Sequence, residues 1–389
     1  MRLFALSLVI AAACSKSKAP PAAGSGDPTK PAESAPAPVV VPPGLGAKVA
    51  PPAAVEGYRT IAPQRMRHSS VRGDFRVYRT SAGIVASWKT LLSARTVDGK
   101  PMWKKEDQGR AVAVSPDGSK IVTNNDAGEL LILDAKTGTP VGAATLLGGR
   151  GDSAREGVWV SAFTWMPDGK QILALDAKHI YLVGADGAVQ KELPVKCKED
   201  CFFTSAVAVS NDEAIVCDGS GTSSGQLLKI RVADGSTVAA VDYYGHDLDL
   251  SADRTAFVAD GSNELSLVDA ATLKPRWTAP IPGFHGVKMK ADSEGYTEWK
   301  AVPKLSPDGN YIVVNDSAGR LWVLDAKNGA PLIAYPIELV DFVEDVMWLD
   351  GATLVALDNP GHVLRISGTP PTKVWSEMDG PEAGQWDEP

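Results

Sequence analysis

Short apolar runs alternate with turn-forming residues along most of this chain, with no helical periodicity between them. The pattern is clearest in Ala111–Leu147, where the apolar runs are separated by Pro116-Asp117-Gly118, Asn125–Gly128 and Asp134–Gly138. Pro presets φ for a turn, Gly tolerates positive φ, and Asp bonds the backbone two residues on, so each of these segments predicts a turn between strands. The stretch therefore predicts a unit of four short antiparallel strands.

The same unit returns along the chain. Ser306–Gly309 repeats Ser115–Gly118, and Asp325–Gly329 repeats Asp134–Gly138, both 191 residues on (306 − 115 and 325 − 134). Four-strand units of about 40–45 residues are typical of propeller blades. Seven such units predict an all-β propeller of four-stranded antiparallel blades. The first unit lacks the Ser-Pro-Asp-Gly turn, so six or eight blades remain open, and residues near Tyr58–Ile61 are candidates for the strand that closes the ring.

The N-terminus has the form of an export signal. Met1-Arg2 and the apolar run Leu3–Ile10 precede small residues and Cys14. The run is too short to span a bilayer, which takes about 20 apolar residues. The segment resembles the lipobox of bacterial lipoproteins, although Ala11 stands where that pattern prefers Leu. The resemblance implies a lipidated Cys14, and Ser15 after it resembles lipoproteins sorted to the outer membrane. The alternative is a plain secretory signal with an incidental cysteine.

Composition divides the chain further. We predict a signal peptide at 1–13, a lipidated Cys14 with a disordered Pro/Ala-rich tether over 14–57, the propeller at 58–377 and a flexible acidic tail at 378–389. The formal net charge is -8, with no basic run, which argues against a nucleic-acid partner. Contact with the membrane is expected through the lipid on Cys14 alone.

The remaining cysteines are Cys197, Cys201 and Cys217, an odd number for an exported chain. Folding the hairpin about Asn211-Asp212 places Ala206 opposite Cys217, so we favour a disulfide between Cys197 and Cys201, with both thiols free as the alternative. No second pair or nearby histidine completes a zinc site, and no metal is predicted.

Loops that depart from the repeat are the candidate binding sites. Gly148–Trp159, Gly219–Gly225 and Gly283–Trp299 are such insertions, and the last is the most informative because it mixes aromatic residues with both signs of charge, as interface hot spots do. A solvated insertion with no partner is the alternative. The candidate binding residues of this loop are His285, Lys288, Lys290, Tyr296 and Trp299.

The units resemble the WD40-like and quinoprotein-like propellers of bacteria over about residues 65–377. The Ser-Pro-Asp-Gly turns resemble the former and Leu133–Gly138 the latter, whereas the Gly-His and Trp-Asp signatures of eukaryotic WD repeats are missing. A lipobox followed by such a propeller also resembles, in layout, the lipoprotein scaffold of outer-membrane protein assembly. The resemblance implies a protein-binding or scaffolding module of the cell envelope, facing the periplasm, with an envelope protein as its partner.

No local catalytic motif accompanies this layout. Gly-x-Ser-x-Gly, His-Glu-x-x-His and phosphate loops are absent, and the five histidines fall in different blades without a partner at fixed spacing. We therefore predict neither catalytic residues nor a cofactor. The alternative is a lactonase-like hydrolase whose catalytic groups come from separate blades and converge on the central channel. A quinone-dependent dehydrogenase is disfavoured because the chain is short for that family and lacks adjacent cysteines.

Overall fold

A computed structural model describes residues 76–376, except 89–90, 107, 109–110, 126–128, 146–159, 199–200, 220–224, 244, 246, 262–263, 283–300, 316–319, 337–342, 359–361 and 367–371. The described residues form strands and turns, and none of them belongs to a helix that could span a bilayer. The strands make seven four-stranded antiparallel sheets, each from four strands consecutive in the chain. The prediction of a seven-bladed all-β propeller is confirmed.

The 28 strands are numbered in chain order. Blades 1 to 3 contain β1 (Arg76–Arg79), β2 (Ile84–Trp88), β3 (Leu91–Arg95), β4 (Pro101–Lys105), β5 (Val112–Val114), β6 (Lys120–Asn124), β7 (Glu129–Asp134), β8 (Pro140–Thr145), β9 (Val160–Trp165), β10 (Gln171–Asp176), β11 (Ile180–Gly184) and β12 (Val189–Leu193). Blades 4 and 5 contain β13 (Phe203–Ala208), β14 (Glu213–Asp218), β15 (Gln226–Arg231), β16 (Thr237–Asp242), β17 (Leu248–Leu250), β18 (Ala256–Asp260), β19 (Glu264–Asp269) and β20 (Pro275–Pro280). Blades 6 and 7 contain β21 (Lys304–Leu305), β22 (Tyr311–Asn315), β23 (Arg320–Asp325), β24 (Pro331–Pro336), β25 (Val343–Trp348), β26 (Leu354–Asp358), β27 (His362–Ile366) and β28 (Thr372–Ser376).

The first strand of each blade lies at the centre of the ring. Each contacts the first strand of the next blade, and β25 contacts β1, so these seven strands surround a central channel. The fourth strands lie at the rim, where β16 and β20 alternate exposed and half-buried residues. The second strands are covered on both faces by neighbouring blades. They are accordingly continuous apolar runs, such as Ala256–Ala259, rather than alternating ones.

The predicted Ser-Pro-Asp-Gly turns connect first and second strands. In blade 2, Ser115 Oγ donates to Asp117 (2.6 Å), and the N–H of Gly118, at φ 72°, donates to Ser115 O (2.8 Å). The hydrogen bond from Ser115, followed by those from Ser119, lowers the pKa of Asp117 to about 2. Blade 6 repeats the turn, with Ser306 Oγ 2.5 Å from Asp308. These aspartates therefore hold turns together, as the regular spacing of the repeat indicated.

Tryptophans on fourth strands join neighbouring blades. Trp103 Nε1 of blade 1 donates to Ala135 O of blade 2 (3.0 Å), and Trp277 Nε1 of blade 5 donates to Ala326 O of blade 6 (2.8 Å). The accepting turns contain Gly138 and Gly329, both at positive φ, which lie directly against these indoles. The indole thus occupies space that a side chain at the glycine would fill.

One predicted register is wrong. We expected Ala206 opposite Cys217, but Ser205 pairs with Cys217 and Ala206 pairs with Val216. The reason is an odd-numbered turn: Val209 N–H donates to Glu213 O (2.9 Å), which centres the hairpin on Asn211 alone. Because side chains alternate between the two faces of a strand, this shift of one residue places Ser205 instead of Ala206 on the same face of the sheet as Cys217.

Candidate functional site

The candidate binding loop lies between β20 and β21. His285, Lys288, Lys290, Tyr296 and Trp299, like Cys14 near the N-terminus, fall outside the described residues. The same holds for Tyr58–Ile61, the candidate for closing the ring. Among the described residues, blade 7 takes its fourth strand from β28.

Cys197 and Cys201 form a disulfide in the link between blades 3 and 4, with their Cα atoms 5.3 Å apart. Both half-cystines pack against the core that blades 3 and 4 share. Phe202 follows directly and is 51% exposed, whereas Phe203 is buried in that core. The disulfide therefore braces the chain where it enters β13.

The front face is the side of the ring on which the first strands begin and the second strands end. A buried Asn or Asp ends the second strand of several blades there and accepts a hydrogen bond from the main chain entering the first strand. These bonds are Ala111 N to Asn124 (2.9 Å), Phe202 N to Asp218 (2.8 Å), Asp247 N to Asp260 (2.8 Å) and Val302 N to Asn315 (2.7 Å). The repeated bond satisfies a buried donor and fixes the first strands of blades 2, 4, 5 and 6 at the channel mouth.

Blade 3 departs from this arrangement. Asp176 instead accepts bonds from the main chain of Lys178 and His179, and its two oxygens lie 3.0 and 2.9 Å from His179 Nδ1. Because a carboxylate can only accept, Nδ1 of His179 is the donor in this contact. The His179 side chain is 38% exposed. Among the described residues, no group of three metal-ligating side chains includes this oriented imidazole.

A charged network crosses the front end of the channel. The guanidinium of Arg76, on β1, bonds both oxygens of Asp247 through Nη2 (2.9 and 3.1 Å) and lies 3.5 Å from Asp345 through Nη1. Blades 1 and 5 are not neighbours in the ring, so this side chain reaches across the channel. Asp345 also accepts the main-chain N–H of Val77 (2.8 Å).

A second pair lies beside the first. Asp249 accepts the main-chain N–H of Leu305 (2.7 Å) and stands 4.0 Å from Lys304 Nζ. Its side chain is 28% exposed, and most of its surroundings are protein. That burial raises the pKa of Asp249, while Lys304 and the Leu305 N–H act in the opposite direction.

This arrangement limits the chemistry of the channel mouth. Asp247 and Asp249 of blade 5 and Asp345 of blade 7 bring carboxylates together from two blades, as a convergent hydrolase site would need, but their oxygens bind Arg76, Lys304 and main-chain N–H groups of the same chain. On the opposite face, a cleft between blades 5 and 6 has a volume of about 230 Å³. This is below the ~300–1,000 Å³ of typical ligand pockets.

Two titratable groups are buried between blades 4 and 5. Cys217 is fully buried, and burial raises the pKa of its thiol to about 12. The Tyr243 hydroxyl donates to Asp260 O, and burial likewise raises the pKa of Tyr243. A thiol with so high a pKa is not a nucleophile at neutral pH, so Cys217 acts as a small core residue.

The sequence did not point to Arg76, Asp247, Asp249 or Asp345. The one local signal is that Asp247 and Asp249 are separated by a single residue at the start of β17, an inner strand at the channel. Arg76 has no local signal, because its partner Asp247 is 171 positions away.

Comparison with known proteins gives one family match. A family model described as "Outer membrane protein assembly factor BamB" matches residues 223–333, from blade 4 to the fourth strand of blade 6. No curated protein matches the chain. The matched segment contains Asp247 and Asp249 but neither Arg76 nor Asp345. Together with the seven blades, the match supports a quinoprotein-like β-propeller.

Proposed function

We propose that this protein is a lipid-anchored β-propeller of the cell envelope that binds another envelope protein and serves as a non-catalytic scaffold. The match of residues 223–333 to an outer-membrane protein assembly factor carries this proposal. The signal-like N-terminus ending in Cys14 supports it, because a lipidated cysteine would place the ring at a membrane surface.

The channel mouth also supports a binding role over hydrolysis. A general base or nucleophile must have a free lone pair directed at a substrate. Asp247, Asp249 and Asp345 at the front end of the channel instead bind cations and main-chain N–H groups of their own chain. A ring braced in this way offers a rigid platform from which loops can contact a partner.

The loop Gly283–Trp299 is our candidate contact surface. The chain leaves the ring after Pro280, at the end of β20, and returns at Lys304, at the start of β21, and both positions lie on the front face. The loop sequence contains Tyr296 and Trp299, residue types that dominate interface hot spots, with lysines nearby. We infer that these aromatics contact the envelope partner.

In-cell cross-linking followed by a pull-down tests the proposal. The full chain, tagged after Pro389, is compared with a variant whose Gly283–Trp299 loop is replaced by a short Gly/Ser turn. The control variant receives the same turn in place of Gly148–Trp159, the other long insertion between blades. We expect a stoichiometric envelope protein that is lost from the first variant and kept by the control.

Other outcomes separate the alternatives. A partner retained by both variants would leave the scaffold role standing and exclude the loop as its contact. No partner in any sample would overturn the proposal and favour the lactonase-like hydrolase, which a substrate screen would then test. The anchor has its own test: a palmitate analogue should label the wild-type chain and fail to label Cys14→Ser, and equal labelling of both would exclude lipidation at Cys14.

A further inference from the structure

Blades 1 and 7 meet at the border where the ring closes, and among the described residues no strand of one blade pairs with a strand of the other. Blade 1 consists of β1–β4 and blade 7 of β25–β28, so each is complete from one continuous stretch of chain. The two blades are far apart in sequence, and no described strand of either pairs with the other sheet. Among the described residues, packing and side-chain contacts connect the two blades at this border.

Apolar packing supplies part of the contact. Val77 and Ile84 of blade 1 share a buried cluster with Met347 and Val355 of blade 7. Similar apolar clusters join other blades, including blades 3 and 4 and blades 5 and 6. This packing does not by itself distinguish the border at which the ring closes.

Asp345 adds a polar contact to this border, of the kind that Asp249 makes with Leu305 and Lys304 between blades 5 and 6. The side chain of Asp345 is 1% exposed, and its Oδ2 accepts the main-chain N–H of Val77 at 2.8 Å. Its Oδ1 lies 3.5 Å from Nη1 of Arg76. One buried carboxylate of blade 7 thus binds both the backbone and the first side chain of β1.

Arg76 extends the contact across the channel. Its Nη2 bonds both oxygens of Asp247, whose main-chain N–H is in turn fixed by Asp260 at 2.8 Å. The Arg76 and Asp247 side chains are 16% and 12% exposed. A planar guanidinium with several donors can serve two carboxylates at once, which a lysine ammonium does not do with the same geometry.

We propose that Arg76 is a latch that closes the ring by tying blade 1 to blade 7 and to blade 5 across the channel. Without the guanidinium, two buried carboxylates of the channel lose the cation that they share. Their repulsion and desolvation then favour separation of β1 from β25. The border between blades 1 and 7 opens while the blades that do not adjoin it stay folded, because each keeps its own four-stranded pairing.

Hydrogen exchange followed by mass spectrometry on the full chain tests the latch. Arg76→Met keeps the aliphatic stem and removes the charge. Arg231→Met is the control, because Arg231 pairs with Asp234 at 3.7 Å on the surface with both side chains more than half exposed. In Arg76→Met we expect protection of β1 and β25 to fall by at least about a hundred-fold, with β14 and β15 unchanged. Arg231→Met should match the wild type in every peptide.

Two further variants keep the test decisive. Arg76→Lys retains the positive charge but lacks the planar guanidinium that binds two carboxylates, so it should lose part of the protection of β1 and β25. This variant provides the test if Arg76→Met does not fold. Asp247→Asn combined with Arg76→Met should lose no more protection than Arg76→Met alone, since both changes break the same contact and the amide removes one of the two repelling charges. Unchanged exchange of β1, or an equal loss in all seven blades, would overturn the latch.

Discussion

The contact between Trp277 and the turn at Gly329 gives the sharpest test of how neighbouring blades are joined. Gly329 has a φ of 73°, and a Cβ at this position would lie 2.8 Å from Cζ3 of Trp277 and 3.0 Å from Cβ of Ala279. Gly309 of the same blade has a φ of 72° with nothing within 4 Å of the corresponding Cβ. The two glycines therefore differ in their surroundings and share their backbone conformation.

The size of the difference follows from that comparison. An L-residue in the left-handed region costs about 1–2 kcal/mol, and this cost is common to Gly329→Ala and Gly309→Ala. The contact with the indole adds an overpacking cost of about 1–3 kcal/mol at Gly329 alone. If Trp277 moves away instead, its bond to Ala326 O is lost, at a cost of about 1 kcal/mol. We expect Gly329→Ala to be the more destabilising substitution by about 1–3 kcal/mol.

Urea unfolding of both variants, followed by circular dichroism, measures the difference in the free energy of unfolding. Each substitution is also made in a Trp277→Ala background, where the indole is gone and the two costs should become similar. Equal costs in the wild-type background would refute the argument that the glycine makes room for the indole. A difference that persists without Trp277 would assign it to another neighbour, such as Ala279.

Three further predictions concern acid stability, the disulfide and the buried thiol. Six aspartates in turns have lowered pKa values: Asp117, Asp134, Asp234, Asp253, Asp269 and Asp308. The stability that these carboxylates contribute is therefore present above the unfolded pKa of 3.8. It is lost as the pH falls through the folded pKa values, of which that of Asp117 is about 2. The melting temperature should therefore fall over this window, and less steeply in Asp117→Asn; identical pH profiles would contradict the assignment. The double variant Cys197→Ser/Cys201→Ser removes the disulfide and should lower the free energy of unfolding by about 2 kcal/mol, because the disulfide closes only a short loop. An unchanged midpoint of urea unfolding would refute this. Iodoacetamide should leave Cys217 unmodified in the native chain at about pH 8 and label it after unfolding, whereas rapid native labelling would show that the thiol is accessible.

The strands could be predicted from the sequence because turn chemistry acts over a few residues. Asp117 bonds Ser115 and Ser119, and all three belong to the same turn, so the pattern of residue types was sufficient to place it. The first blade, which lacks the Ser-Pro-Asp-Gly turn, nevertheless forms, and its first strand is Arg76–Arg79. The error at Cys217 came from the turn at Asn211, where five residues instead of four separate the paired positions, and residue types alone do not distinguish the two.

The channel network could not be predicted in the same way, because its partners meet only after the ring has closed. Arg76 and Asp345 are 269 positions apart, and no local motif links them. The buried residues that end the second strands illustrate the limit. Asn124 and Asn315 make the same main-chain bond as Asp218 and Asp260, so the structural role alone does not require a charge. The acidic versions that make this bond occur in blades 4 and 5, aspartates also end the second strands of blades 3 and 7, and blade 5 supplies Asp247 to Arg76 as well. The residue type at the end of a second strand therefore does not indicate where a cation crosses the channel.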